Sequence, residues 1–77
     1  MNKISITFTH EGKEYKGTLD EVHGAAGRTW HLMIDKYYYG PLLFVNDKFV
    51  FHPQLDENKW MKEFEGYFGE VITLYYE

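Results

Sequence analysis

Alternating hydrophobic and polar residues predict a β-hairpin over the first twenty positions. Ile4, Ile6 and Phe8 alternate with polar residues, which is the pattern of a strand with one buried face. A second alternating stretch covers residues 14–19. Gly12, which lies between the two stretches, can adopt the positive φ that a tight turn requires. The two stretches are therefore predicted to pair as neighbouring strands.

A third strand is predicted from residue 30, after a connector of small residues at positions 24–27. Trp30, Leu32 and Ile34 fall on one face of this strand by strict alternation. The opposite face carries His31, Met33, Asp35 and Tyr37. Pro41 cannot donate to a strand ladder, so we expect residues 39–41 to turn or kink the chain after this strand.

The apolar residues that follow predict a fourth and a fifth strand. Residues 42–45 are apolar on both faces, which is typical of a strand that is central in a sheet or covered on both sides. Asn46 and Asp47 tolerate left-handed φ and suit a two-residue hairpin turn. Residues 49–52 alternate again and complete the run of strands.

The hydrophobic period changes from two to about 3.6 after Pro53. An apolar stripe at helical spacing is formed by Trp60, Met61, Phe64, Tyr67 and Phe68. Asp56 is a suitable N-cap, and Gly66 or Gly69 is expected to end the helix, which places it at about residues 56–67. Residues 71–76 are apolar on both faces and are predicted to form a last strand inside the sheet.

Together these elements predict an α+β fold in a single domain over residues 1–77. We expect a twisted antiparallel meander of five to six strands that curls towards a barrel, with one helix packed on it before the last strand. The predicted core consists of Ile4, Ile6, Phe8, Leu19, Trp30, Leu32, Ile34, Leu42, Phe44, Phe49, Phe51, Trp60, Phe64, Phe68, Ile72 and Leu74.

Composition and charge narrow the classes of partner. The chain of 77 residues has no cysteine, and its aromatic content of 19% indicates that rings build the small core. The formal net charge of −4 argues against nucleic acid, because backbone phosphates require a basic surface. The N-terminus lacks a charged segment followed by an apolar stretch, and the longest uninterrupted apolar run is four residues, at 42–45. We therefore expect a cytoplasmic protein that binds neither nucleic acid nor membrane.

The residues that could carry chemistry form no recognisable catalytic or metal-binding motif. The four histidines His10, His23, His31 and His52 show none of the spacings of paired metal ligands. Ser5 is the only serine and lies in the middle of a predicted strand. We expect no catalytic residue, no metal and no cofactor. One alternative is a small metal-dependent or acid–base enzyme that uses His31, His52 and nearby carboxylates.

The tyrosine run is the strongest binding signal in the sequence. Tyr37, Tyr38 and Tyr39 are consecutive, and adjacent side chains of a strand point to opposite faces, so at least one ring should lie outside the core. Tyrosine is enriched at interface hot spots, where it supplies contact area at a small cost in entropy. We predict that these three tyrosines and His31 contact a partner.

Two functions of the non-enzymatic kind follow from these observations. The preferred hypothesis is a protein-interaction module that binds a protein partner or its own copy through the tyrosines and an exposed sheet edge. The alternative is a small-ligand binder with a pocket between helix and sheet, lined by Trp30, Trp60 and Met61.

Overall fold

Five antiparallel strands and a C-terminal helical segment make up the fold, in a computed structural model that describes residues 2–22 and 28–76. The strands are β1 (Lys3–His10), β2 (Lys13–Glu21), β3 (Thr29–Ile34), β4 (Tyr37–Val45) and β5 (Lys48–Phe51). They pair in sequence order, and the sheet curls into a half-barrel. The predicted α+β fold and antiparallel meander are confirmed. The connector predicted at residues 24–27 lies outside the described residues.

Three two-residue turns with positive φ connect the hairpins. Glu11–Gly12 and Asn46–Asp47 form two of them, as the sequence predicts, with φ between 50° and 78°. The third is Asp35–Lys36, with φ of 52° and 69°. The prediction that β3 continues through Asp35 to Tyr37 is therefore wrong. Neither residue of this turn is a glycine, so the sequence does not mark it. Ile34 pairs with Tyr37, and the two residues between them therefore form the turn.

Gly40 and Pro41 do not turn the chain but lie within β4, beside a β-bulge. Leu32 pairs with Gly40 while Met33 pairs with Tyr38, so Tyr39 is the extra residue of β4. The chain after β5 bonds to this segment, because the amides of His52 and Gln54 donate to the carbonyls of Pro41 and Tyr39 at 3.0 Å. The bulge therefore determines the direction in which the Tyr39 side chain points relative to that of Tyr38.

The helical segment runs further than the sequence predicts. A 3₁₀ helix spans Asp56–Phe64 and continues directly into α1, which spans Glu65–Tyr76. The helix predicted at about residues 56–67 begins where expected, but the last strand predicted at residues 71–76 is wrong. Gly66 and Gly69 lie inside α1 and do not end it.

Packing explains why the β-branched stretch after Gly69 is helical. Phe68 and Ile72 are fully buried and lie four residues apart, on one face of α1. One turn further, the Tyr76 hydroxyl accepts a hydrogen bond from Trp30 Nε1 at 3.3 Å and donates one to a Glu21 carboxylate oxygen at 3.1 Å. Strand propensity depends strongly on context, and here burial along a helical face outweighs it.

The core lies between the concave inner face of the sheet and the helical segment. Its buried residues are Ile6, Phe8, Leu19, Trp30, Leu32, Ile34, Leu42, Phe49, Phe51, Met61, Phe68 and Ile72. Eleven of these twelve are in the predicted core, and Met61 is the addition. Ile4, Trp60 and Phe64 are only partly buried against this cluster. Two predicted core residues, Phe44 and Leu74, are exposed.

Helical side chains bond to both edges of the sheet. On the β1 edge, the Tyr67 hydroxyl donates to the Thr7 carbonyl at 3.1 Å and accepts from the Thr7 amide at 3.5 Å. On the β5 edge, the Phe51 amide donates to a Glu65 carboxylate oxygen at 2.8 Å. Each contact satisfies edge groups that could otherwise pair with another strand. Strand addition is therefore opposed at one position on each edge.

Glu65 is expected to make the stability of the protein depend on pH. Burial by itself raises the pKa of Glu65, but the hydrogen bond from the Phe51 amide and the ammonium groups of Lys62 and Lys48 outweigh it. The pKa of this carboxyl therefore lies below its ordinary value. Its contribution to the free energy of unfolding is present above the unfolded-state pKa and is lost as the pH falls through the folded-state pKa.

Glu65→Gln should lower the free energy of unfolding by about 1 kcal/mol near neutral pH, because the amide oxygen can still accept from the Phe51 amide but the charge that strengthens this bond is lost. The difference from the wild type should shrink as the solution is acidified, which urea unfolding at a series of pH values will measure. Glu63→Gln is the matched control, since Glu63 is exposed two residues away. An equal effect of the two substitutions at every pH would contradict this role of Glu65.

Candidate functional site

The outer, convex face of the sheet carries an apolar patch on which no described element packs. Strand register places alternate residues of β3, β4 and β5 on this face, opposite the helical segment. We call the central group the outer patch, and it consists of His31, Met33, Tyr38, Pro41, Leu43 and Val50. All of them are half-buried except Tyr38, which is exposed. Of the two alternatives predicted for β4, the structure shows the central position, because β4 lies between β3 and β5.

A row of five aligned residues crosses the outer face, and all but Pro41 are ionisable. Strand pairing aligns Lys3 with Asp20, Asp20 with His31, and His31 with Pro41. The His52 amide bonds to the Pro41 carbonyl, which extends the row to a fifth residue. His31 and His52 are two strands apart, or about 10 Å at the usual strand spacing. The sequence singled out both histidines but gave no reason to place them on one face.

His31 and Tyr38 are the two predicted binding residues that the structure brings together. Their ring centroids are 4.6 Å apart at an interplanar angle of 55°. Tyr38 is 40% exposed, and it pairs across the ladder with Met33. Partial burial raises the pKa of the Tyr38 phenol, so the hydroxyl is neutral and able to donate near neutral pH. The pair offers two mutually tilted aromatic rings and a phenolic hydroxyl.

The other two tyrosines of the predicted site lie elsewhere. Tyr37 is 72% exposed and pairs with Ile34, a core residue, so it projects from the end of the inner face. Tyr39, the bulge residue, packs against the core. A partner on the outer face would therefore meet Tyr38 but neither of its neighbours. The alternation rule for strands anticipates the separation of Tyr37 from Tyr38, whereas the bulge decides the position of Tyr39.

A groove of about 610 Å³ adjoins the outer patch on the side of β1 and β2. We call it the outer groove, and its lining includes Lys3, Lys16, Thr18, Asp20, Met33, Asp35 and Lys36. Met33 belongs to both the groove and the patch, which makes the two continuous. Asp20 Oδ1 is buried and has no hydrogen-bond partner in the part of the chain that the structure describes. The other oxygen of this carboxylate lies 3.9 Å from Lys3 Nζ, beyond hydrogen-bond distance.

Sequence reasoning did not select the residues of the outer groove. Lys3, Lys16 and Asp20 lie on strands that alternate clearly, so their common face could be read from the pattern. Only the register of β1 with β2, however, aligns Lys3 with Asp20. Lys36 and Asp35 join the groove because they form the turn that the sequence did not indicate.

Two of the three residues proposed to line a ligand pocket between helix and sheet are closed off in the core. Trp30 and Met61 are fully buried in the core, and the Trp60 ring stacks on His10 with centroids 4.1 Å apart. A groove of about 320 Å³ does separate the β4–β5 hairpin from α1. It lies at Phe44, Phe49, Gly66 and Gly69, away from the predicted lining.

Neither a metal-ligand cluster nor a membrane-spanning helix is found among the described residues. Across residues 2–22 and 28–76, no three histidine or carboxylate side chains are grouped so that they could hold a metal ion. No helix within the same ranges combines the length and apolar character needed to cross a bilayer. His23 lies outside these ranges.

Comparison with known proteins gives no relative on which to base a function. No protein-family model, no curated protein and no solved structure matches this chain. The functional argument therefore rests on the geometry of the outer face.

Proposed function

We propose that this protein is a small non-enzymatic binding module that holds a segment of another protein against the outer face of its sheet. One observation carries the proposal: the outer patch is apolar and continuous with a groove, and no described element packs on it. Tyr38 and His31 form its aromatic centre. Partly exposed aromatic residues within an apolar patch are a common feature of protein interfaces.

The edges of the sheet are less suitable for this role than its outer face. Tyr67 bonds to the backbone of Thr7 on β1, and Glu65 bonds to the backbone of Phe51 on β5. A strand added at either edge would have to displace one of these contacts. Binding to the outer face leaves both intact, so we favour the face over the exposed edge that the sequence suggested.

Charge favours a different protein over a second copy as the occupant. The chain carries a formal net charge of −4, and like-charged molecules repel at moderate ionic strength. Beside the outer patch, in contrast, the lysines Lys3, Lys16 and Lys36 line the groove together with two carboxylates. A partner with its own complementary charge would avoid the repulsion between two copies.

Tyr38→Ala should weaken binding of a partner peptide by about tenfold or more, in line with the loss of an aromatic hot spot. The probe is a peptide selected from a random displayed library against the wild-type protein and then synthesised. Titration calorimetry of this peptide with both proteins measures the change. The free energy of unfolding should fall by less than about 1 kcal/mol, because Tyr38 contributes a cross-strand pair and is not in the core.

Tyr37→Ala is the control, since it removes the same side chain from the neighbouring position on the other face. Peptide affinity should be unchanged in this variant. Selected peptides that bind Tyr38→Ala as tightly as the wild type would contradict the proposal. Light scattering over a concentration series adds a second check: a wild-type dimer that Tyr38→Ala dissociates would show that the face binds a second copy instead.

A further inference from the structure

The outer groove differs in charge from the rest of the molecule. Its lining includes the ammonium groups of Lys3, Lys16 and Lys36 and the carboxylates of Asp20 and Asp35. Cations thus outnumber anions in the groove, while the whole chain has an excess of four negative charges. A local reversal of sign concentrates ligands of the opposite charge at the site.

The ion pairs already present do not neutralise these lysines. Lys16 Nζ lies 3.6 Å from Glu14, but both side chains are more than half exposed, and such pairs contribute little free energy. Lys3 Nζ lies 3.9 Å from Asp20 and remains 65% exposed. Either ammonium group can therefore turn towards a ligand carboxylate at a small cost.

Asp20 adds a hydrogen-bond acceptor to the groove. Its Oδ1 is buried and closed to a ligand, but the side chain as a whole is 21% exposed, so the other carboxylate oxygen, Oδ2, can accept a bond. Donors on a polypeptide in the groove, such as backbone amides, would supply that bond. A fully deprotonated anion such as sulfate has no donor to offer to a carboxylate, so Asp20 favours a polypeptide over such an anion.

We propose that the outer groove binds an acidic stretch of a partner polypeptide, whose carboxylates meet Lys3, Lys16 and Lys36 while one of its N–H groups donates to Asp20 Oδ2. This inference rests on the proposed function, because the apolar residue beside the acidic stretch packs on Met33 and Tyr38. Met33 joins the two surfaces, so a single extended segment spans both. The partner is thus a segment with carboxylates on one side of an apolar anchor.

The peptide selection described above also tests the charge of the partner. Peptides that depend on Tyr38 should be enriched in aspartate and glutamate, and their affinity should fall as salt is added. Lys16→Glu should weaken them by about tenfold, as is typical when a charge at an interface is reversed. Lys59→Glu is a closely matched control, because Lys59 is 72% exposed and Lys16 is 75% exposed, and each lies 3.6 Å from one carboxylate.

Asp20→Val separates a binding role of Asp20 from a structural one. Replacing an unsatisfied buried acceptor by an apolar β-branched residue should leave the unfolding midpoint unchanged or raise it. Peptide affinity should nevertheless fall by about fivefold or more through the lost hydrogen bond. A lower midpoint with unchanged affinity would show that Asp20 serves the fold alone and would overturn its part in recognition.

The outcomes of the selection distinguish the inference from the function on which it rests. Peptides that lose affinity in Tyr38→Ala but show no acidic bias, and no response to Lys16→Glu, would overturn the acidic partner and retain the binding module. A selection without any Tyr38-dependent peptide would overturn both.

Discussion

Gly40→Ala is expected to destabilise the protein by about 4 kcal/mol, which combines the cost of a strained backbone with that of overpacking. Gly40 has a φ of +145°, in a region that is almost restricted to glycine. A Cβ atom at this position would lie 2.3 Å from the His52 carbonyl oxygen and 3.2 Å from the Gln54 amide nitrogen. Both atoms belong to a segment that the His52 and Gln54 amides bond to β4, so they cannot move aside without breaking the bulge. Urea unfolding followed by circular dichroism measures the loss.

Gly12→Ala separates the two causes of this effect. Gly12 also has a positive φ, of +78°, but a Cβ atom there would have nothing within 4 Å. Its substitution should cost about 1 kcal/mol, which reflects the backbone conformation alone. Equal losses for Gly12→Ala and Gly40→Ala would show that the close approach of the segment after β5 does not constrain Gly40.

Ile72→Ala is expected to lower the free energy of unfolding by about 3 kcal/mol, whereas Leu74→Ala should change it by less than about 0.5 kcal/mol. Ile72 is 0% exposed, and Leu74, two residues further along α1, is 60% exposed. Removal of a buried side chain loses its transfer free energy and leaves a cavity, and an exposed leucine loses neither. A total stability of the order of 5 kcal/mol for so small a domain makes the first loss easy to measure.

This pair of substitutions also tests the secondary structure at the C-terminus. Residues two apart share a face in a strand but lie about 200° apart around a helix. If residues 71–76 formed the strand predicted from the sequence, both substitutions would affect the core. Similar large losses for Ile72→Ala and Leu74→Ala would contradict the helix, and unequal losses agree with it.

The outer patch and the outer groove could be predicted from sequence only in part. Three consecutive tyrosines in a strand cannot all face the core, so an outward ring near position 38 was foreseeable. The contact of Tyr38 with His31, by contrast, depends on the register of β3 with β4 and on the bulge at Tyr39. The outer groove depends on the pairing of Lys3 with Asp20 and on the turn at Asp35–Lys36, which no local signal marked.

The sequence by itself determined the five strands in order, the α+β class and eleven of the twelve buried core residues. It did so because alternation, helical spacing and turn residues act locally, over a few neighbouring positions. Only the tertiary structure decided that residues 71–76 continue a helix, since Phe68 and Ile72 gain more by packing on the inner face than β-branched residues gain in a strand. It also decided which tyrosine faces outwards. Both outcomes depend on contacts between distant parts of the chain, whose energies no short window of sequence contains.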